Sequence, residues 1–253
     1  MAEKPSPDVV TVIPLTGLPE LEKGDDLGRL LYDSASRAGG LAAGDVVVVA
    51  QKAVSKIEGR VVQLDDVEPS PRARELAGRD ADPRLVEVVL RESREVVRTR
   101  PPLVIGETRH GFVCASAGVD ASNAPAEGMV VLLPLDPDAS ARGLRERLIE
   151  LAGCEIGVIV SDSFGRAWRQ GTTDVAIGSA GIAPLRDLRG VRDRAGYELQ
   201  TTQIAIADEL AGAAELVMGK TEGIPAAVVR GVDVRGSGSA QELVMPAERN
   251  LFP

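Results

Sequence analysis

The chain has 253 residues, with 29 Lys and Arg against 38 Asp and Glu, a formal net charge of −9. This acidic balance argues against nucleic acid or an anionic membrane surface as the main partner. A hydrophobic content of 44% is enough to bury a core, the length suits one large domain or two small ones, and no apolar run approaches the ~20 residues of a membrane span.

Residues 1–12 lack the basic-then-apolar grammar of a secretion signal, so the expected location is the cytoplasm. Residues 9–13 read as a first strand, and residues 14–21 as a loop marked by Gly17 and Pro19. Asp25 and Asp26 offer an N-cap to a helix over residues 27–38, where Leu27, Leu30 and Leu31 share a face. Val46-Val47-Val48-Val49-Ala50 is an unbroken β-branched run that predicts a strand buried on both faces, and hence a layered α/β core. Residues 65–71 are a connector, residues 83–97 are predicted helical with Leu85, Val89 and Glu92 in register, and residues 98–102 connect again. A hairpin follows over residues 103–107 and 112–116, with His110 as an exposed residue of its turn. Residues 117–123 have no periodicity and read as a loop.

Residues 129–133 form a predicted strand and residues 141–152 a helix, with Leu144, Leu148 and Leu151 in register and Gly153 as its stop. Residues 156–160 form an apolar strand that ends at Ser161-Asp162-Ser163-Phe164-Gly165-Arg166. Residues 202–218 are helical but apolar on nearly every side, which predicts burial, and residues 226–229 form a last core strand. No linker, repeat or low-complexity tract interrupts the chain. The expectation is one compact α/β unit (mixed α+β) over residues 1–253, with a second lobe allowed in its later half.

Three scarcities narrow the chemistry. Cys114 and Cys154 are too few for a disulfide framework or a cysteine zinc site, and both read as small buried hydrophobes. The single histidine, His110, excludes His-rich metal centres and leaves any Ser-His-Asp triad hanging on one loop residue. Five lysines stand against 24 arginines, so Lys52, Lys56 and Lys220 are candidates for roles that need a compact ammonium.

Gly219-Lys220-Thr221 looks like the end of a phosphate-binding P-loop, but Ala214 stands where the first glycine belongs and a helix precedes it, so it is not a Walker motif. Gly236-Ser237-Gly238-Ser239 begins a dinucleotide fingerprint whose third glycine is replaced by Gln241, and it reads as a flexible turn. Asp120 and Asp162 each sit among small residues in a turn, Asp162 at the carboxyl end of a core strand, where open α/β sheets bind ligands. With Ser163 and Asn123 they form the hard-oxygen set that Mg²⁺ or Mn²⁺ prefers when it also holds phosphate; the bland alternative for each aspartate is an Asx-turn or a cap. Lys52 and Lys56 follow the 46–50 strand, and Arg166 and Arg169 follow Asp162. Gathered at strand ends, these charges suit phosphoryl chemistry; left apart, they are a solvated rim. Asp208-Glu209, inside a buried helix, reads as a hydrogen-bonded structural carboxylate.

Eight segments taken in order carry a resemblance. They are Gly17-Leu18-Pro19 with Gly24-Asp25-Asp26-Leu27, Ala53-Val54-Ser55-Lys56-Ile57-Glu58-Gly59-Arg60, Ala117-Gly118-Val119-Asp120-Ala121-Ser122-Asn123, and Leu133-Pro134-Leu135-Asp136-Pro137-Asp138. The others are Ser161-Asp162-Ser163-Phe164-Gly165-Arg166-Ala167-Trp168-Arg169, Val191-Arg192-Asp193, Ala207-Asp208-Glu209 and Ile224-Pro225-Ala226-Ala227-Val228-Val229-Arg230-Gly231. Each is weak alone, but their order resembles the coenzyme F420 γ-glutamyl ligase family from about residue 13 to residue 231.

That resemblance implies a cytoplasmic, homodimeric, GTP-dependent amide ligase with a fold particular to the family. It would join L-glutamate to the deazaflavin precursor coenzyme F420-0 and then add further γ-linked glutamates, using two Mg²⁺ or Mn²⁺ ions. By the same resemblance Asp120 and Asp162 hold the first metal and Ser163 a second, while Leu18, Pro19, Glu20, Leu21, Lys56 and Asn123 contact the nucleotide. The sequence departs from the family at Gln51-Lys52, where a hydroxyl residue often begins the pair. It departs again at Lys220, where some members carry an acidic second-metal ligand; that leaves Glu222 as the carboxylate for the second ion, with Gln51, Lys52 and Lys220 beside the nucleotide. In some relatives a nitroreductase-like domain follows, whereas this sequence ends at Pro253, so the ligase unit alone is expected.

The implied mechanism activates a carboxylate as an acyl phosphate, with Lys56 and the metal-binding aspartates offsetting phosphate charge and Arg166 and Arg169 holding the anionic substrates. Two other classes fit the same residues. One is a nucleotide sensor that no longer ligates, and the other is a metal-dependent phosphohydrolase that needs no amine acceptor.

Overall fold

A computed structural model of the protein describes residues 9–251, so most of the segment inspected for a leader lies outside the described residues. In chain order the elements are β1 (Thr11–Pro14), α1 (Leu27–Arg37), β2 (Val46–Ala50), α2 (Gln51–Glu58) and β3 (Val61–Gln63). Next come α3 (Pro71–Ala77), α4 (Pro83–Glu92), β4 (Ser93–Arg100), β5 (Leu103–Thr108), β6 (Val113–Ala115) and β7 (Met129–Val131). The remainder holds α5 (Pro137–Ala152), β8 (Gly157–Arg166), β9 (Arg169–Ala180), β10 (Arg186–Asp187), β11 (Gln203–Ile204), α6 (Ile206–Met218) and β12 (Ala226–Arg230). No helix among the described residues is long and apolar enough to cross a membrane.

Five strands make the central sheet, in the order β1-β12-β2-β8-β9. β2 and β8 run parallel, with Val46 opposite Gly157 and Ala50 opposite Ser161; the other neighbours are antiparallel. The pleat sends Val47 and Val49 into a core shared with α1 and α5, while Val46 and Val48 join the core under α6. A strand with helices on both faces has no polar side, which is why the valine run is unbroken. Burying each of these side chains stabilises the fold by roughly 1.5 kcal/mol or more. The mixed α/β class read from that run is the class the chain adopts.

Two devices fix the helices on this sheet. Asp26 caps α1 by accepting from the Arg29 N–H at 3.0 Å, and Arg147 on α5 closes on the same carboxylate at 2.8 Å. α5 approaches β9 at Gly178, where a Cβ would stand 2.2 Å from the Pro137 carbonyl oxygen. Beside it Asp138 accepts from the Ser179 N–H at 2.8 Å.

A subsidiary apolar cluster forms where α3, α4, β3, β4, β5 and β7 close over Leu64, Val86, Val89, Val104 and Val130. It lies in the first half of the chain, whereas the sequence had allowed a separate lobe in the second.

Several local expectations are corrected. The predicted 83–97 helix stops at Glu92, where the Ser93 hydroxyl donates to the Val89 carbonyl at 2.7 Å and β-branched Val96 and Thr99 enter β4, paired with β5. The 98–102 connector is strand as far as Arg100. The connector before Pro71 contains a missed signal, since Ser70 caps α3 and Pro71 begins it. β8 does not end at Val160 but runs to Arg166, paired with β9, a strand whose Gly, Ser and Ala content hid it. The helix predicted over residues 202–218 begins at Ile206, and Leu216 on its outer side is 85% exposed, so it is buried on one face only. His110 is half-buried rather than an exposed turn residue, because its ring stacks on Phe112 at 5.5 Å and its Nε2 bonds the Leu135 carbonyl at 3.1 Å. Cys114 is buried as expected, and Cys154 partly so.

Candidate active site

The site begins where β2 ends and α2 starts without a side-chain cap. Gln51 and Lys52 are therefore delivered to the carboxyl edge of the sheet, beside β8. Lys52 reaches across to the loop after β6, where its ammonium stands 2.7 Å from Asp120 and also donates to the Ser122 hydroxyl. Asp120 is not in a free loop: its backbone bridges Val131, accepting at 2.8 Å and donating at 3.0 Å. Burial would raise its carboxyl, but the bonds from Lys52 and Ser122 outweigh that and hold it below the usual aspartate range.

On β8 a register shift between Val160 and Ser161 re-aims the strand as it leaves the core. Ser161 and Ser163 then share one face, where both hydroxyls donate to Asp174 on β9, the first at 2.8 Å. Asp162, on the alternate face, is half-buried. Burial pushes its carboxyl up to about 7; the Asp174 and Asp120 charges add to that, and the Ser163 N–H and Lys52 oppose it.

Lys220 completes the cluster. Its ammonium donates to the Ser163 hydroxyl at 2.7 Å, and its carbonyl accepts from the Asn123 amide at 3.2 Å. A cleft at this point is lined by Gln51, Lys52, Asn123, Asp162, Asp174 and Lys220 among others. Gln51 is 1% exposed; its Oε1 accepts from the Ser55 hydroxyl, while its Nε2 has no partner among the described residues. A buried amide donor without a partner beside a cleft is suited to a bound acceptor.

Other residues singled out in the sequence stand further off. Lys56 lies one turn along α2 from Lys52 and pairs with Glu20, which joins the Gly17 to Leu21 loop to the helix. In that loop Pro19 and Glu20 are exposed, Leu18 is half-buried and Leu21 is core. Arg166 and Arg169 face each other at the tip of the β8–β9 hairpin, exposed, outside the cleft lining. Glu222 folds onto Thr221, accepting from its N–H at 2.9 Å and its hydroxyl at 3.1 Å, and does not line the cleft. Asp208 accepts from the Ala176 N–H at 2.9 Å, the structural role read for it.

Sequence reasoning missed Asp174 and Glu215, both in the cleft lining. Asp174 was hidden because β9 itself went unread. Glu215 on α6 is raised above its ordinary value by burial and then by the Asp174 charge.

The donor set of Asp120, Asp162, Ser163 and Asp174 is all hard oxygen, which suits Mg²⁺ or Mn²⁺. Among the described residues no three acidic, histidine or cysteine side chains are gathered closely enough to hold an ion alone. A small divalent cation that shares its coordination with phosphate oxygens and water needs only one or two of these carboxylates.

The family model described as F420-0:Gamma-glutamyl ligase matches residues 17–231. The chain is similar to the coenzyme F420:L-glutamate ligase of Methanopyrus kandleri, at 48% identity over 92% of this chain and 93% of the relative. It is similar to the proteins of the same name from Archaeoglobus fulgidus, at 44% over 96% of each, and Methanothermobacter thermautotrophicus, at 43% over 96% of this chain and 98% of the relative. The chain belongs to the F420-0:gamma-glutamyl ligase family.

Proposed function

We propose that the protein is a GTP-dependent ligase that joins L-glutamate to coenzyme F420-0 through an acyl phosphate and then adds further γ-linked glutamates. The observation that supports this most directly is the cleft in which Lys52, Lys220, Asn123 and the unpaired Gln51 amide stand against Asp162 and Asp174, with Asp120 ion-paired to Lys52 beside it. Cations and amide donors suit a polyphosphate, and the carboxylates suit the ion that accompanies it.

A carboxylate resists attack by an amine because no good leaving group is present. Transfer of the γ-phosphoryl group of GTP to a carboxylate oxygen supplies one. The glutamate amine then attacks the acyl carbon, phosphate departs and the amide remains. In this scheme Lys52 and Lys220 hold phosphate oxygens, Asn123 and Gln51 orient them, and Asp174 fixes the Ser161 and Ser163 hydroxyls. Asp120, Asp162 and Ser163 would hold Mg²⁺ or Mn²⁺, which when bound supplies charge neutralisation at the transferring phosphoryl group. The Lys56–Glu20 pair sets the Gly17 to Leu21 loop for the nucleotide.

The cytoplasm, where GTP and glutamate are abundant, is the place this reading assigns to the enzyme. A homodimer belongs to the same reading, and light scattering tests it. The reaction is tested by incubating purified protein with coenzyme F420-0, GTP, glutamate and Mn²⁺, then weighing the product by mass spectrometry. Glutamylated product with GTP turnover that needs both acceptor and glutamate is expected. GTP turnover indifferent to both would instead mean a phosphohydrolase, and nucleotide binding without turnover a sensor.

A further inference from the structure

α6 ends against its own electrostatics. The carboxyl end of a helix carries partial negative charge and favours cations, yet the last turn of α6 holds no basic residue and does hold Glu215. The positions three and four residues away along the helix, Ala211, Gly212, Met218 and Gly219, carry no charge to pair with it. The Glu215 carboxylate is half-buried and has no hydrogen-bond or ion-pair partner among the described residues. Lys220 is near enough to act on it, but its ammonium is bonded to the Ser163 hydroxyl at 2.7 Å. Burial and then the Asp174 charge raise the Glu215 carboxyl above its ordinary value, Glu222 adds to this, and Lys220 offsets it only in part. What this corner of the molecule lacks is a cation.

The corner belongs to the cleft that also contains Lys52, Asn123, Ser163 and Lys220. One wall of that cleft, from Gln51 to Asn123, presents donors for an anion; the α6 wall presents Glu215 beside the apolar Met218 and Ile224. Asp174 is engaged by Ser161 and Ser163, and Asp120 by Lys52. Asp162 is the carboxylate that the ligase reading gives to the ion. Glu215 is left over, and a carboxylate alone beside a polyphosphate is repelled by it. Its place in the cleft is explained by a positive group that comes between the two.

Of the three substrates in the ligase reading, the amino acid alone carries such a group. An α-amino group titrates near ~8, so at neutral pH it arrives mostly as an ammonium. Its nitrogen must also reach the acyl carbon beside the transferring phosphate, so it has to be held within the same cleft. We propose that Glu215 holds the ammonium group of the incoming amino acid, with Met218 and Ile224 against its methylene chain. The assignment rests on the ligase reading and adds to it the residue that recognises the amine.

Two variants test it. Glu215→Gln keeps the shape and removes the charge, while Glu215→Lys puts an ammonium where that of the substrate would sit and suits the end of a helix. Calorimetric Kd values for GTP with Mn²⁺ are measured for both variants and the parent. KM values for L-glutamate and coenzyme F420-0 are measured for the parent and the Gln variant, together with inhibition by glutarate, the same diacid without its amine. Glu215→Gln is expected to raise the glutamate KM tenfold or more, with the coenzyme F420-0 KM and the glutarate inhibition within twofold of the parent. Glu215→Lys is expected to fold and to lose glutamate turnover, and both variants are expected to bind GTP no more weakly than the parent. An unchanged glutamate KM in the Gln variant, or turnover retained by the Lys variant, overturns the assignment. So does a loss of glutarate inhibition in step with the glutamate KM, which means a distorted site, or a loss of GTP affinity, which gives Glu215 to the ion. A parent that forms no product overturns the ligase reading, and the assignment falls with it.

Discussion

The Lys220 ammonium meets the Ser163 hydroxyl at 2.7 Å, joining residues 57 apart in sequence. A lysine after a helix can serve as a cap, but α6 closes at Gly219, whose N–H bonds the Glu215 carbonyl at 3.0 Å, while the ammonium points to β8. On the proposed ligase reading, a cation fixed beside Ser163 would supply charge that a second metal ion would supply with an acidic residue there. Lys220→Glu is expected to make the rate depend more steeply on free Mn²⁺, since a carboxylate repels phosphate until an ion is bound. Rate curves against free Mn²⁺ that superimpose after normalisation would show that the ammonium has no such role.

Asp174 accepts from Ser161 and Ser163 together and fixes where the Ser163 oxygen points. Groups that orient a metal ligand are commonly worth roughly 10- to 100-fold in metal affinity or activity. Asp174→Asn is expected to fall in that range at limiting Mn²⁺ and to recover in part at excess. Wild-type rates at every Mn²⁺ concentration would remove Asp174 from the site.

How far the sequence could be read depends on where the information sits. The valine run of β2 declares itself because each residue meets a helix-covered face, and the Asp26 cap is a local signal beside a local helix. β9 was illegible because its small residues gain strand structure only by pairing with β8, a contact that local propensity does not encode. The site shows the same division. Asp120, Asp162 and Ser163 stood out by neighbourhood, and Lys52 by following a core strand. Asp174 and Glu215 join them only through the β8–β9 register and the packing of α6.

Lys56 lies one turn from Lys52 on α2, yet Lys52 faces the carboxylates and Lys56 holds Glu20. Lys56→Ala frees the Gly17 to Leu21 loop and removes a charge assigned to the nucleotide. GTP affinity is expected to drop about tenfold or more, roughly 1.4 kcal/mol, with glutamate KM much less affected. Titrations with unchanged GTP affinity and weakened glutamate binding would reverse that assignment.

Asp208 gives a prediction of stability rather than activity. It lies in the first turn of α6 and accepts the Ala176 N–H at 2.9 Å, tying the helix to β9. Burial raises its carboxyl above the ordinary 3.8, and the Ala176 bond opposes this only in part. The folded protein therefore keeps this proton to higher pH than the unfolded chain does. Between 3.8 and the raised value the native state binds more protons, so the contribution of Asp208 to stability is present below 3.8 and is lost as pH rises through the folded value. Asp208→Asn retains an oxygen for Ala176 and cannot titrate. Its melting temperature relative to wild type is expected to rise across that window and then level off, with ligation unchanged. Asp208→Ala leaves the Ala176 N–H without its partner and is expected to cost about 1–3 kcal/mol at every pH. Should the Asn variant instead lose ground as pH rises, the ionised carboxylate is the favoured form, held by the positive end of α6 against its burial.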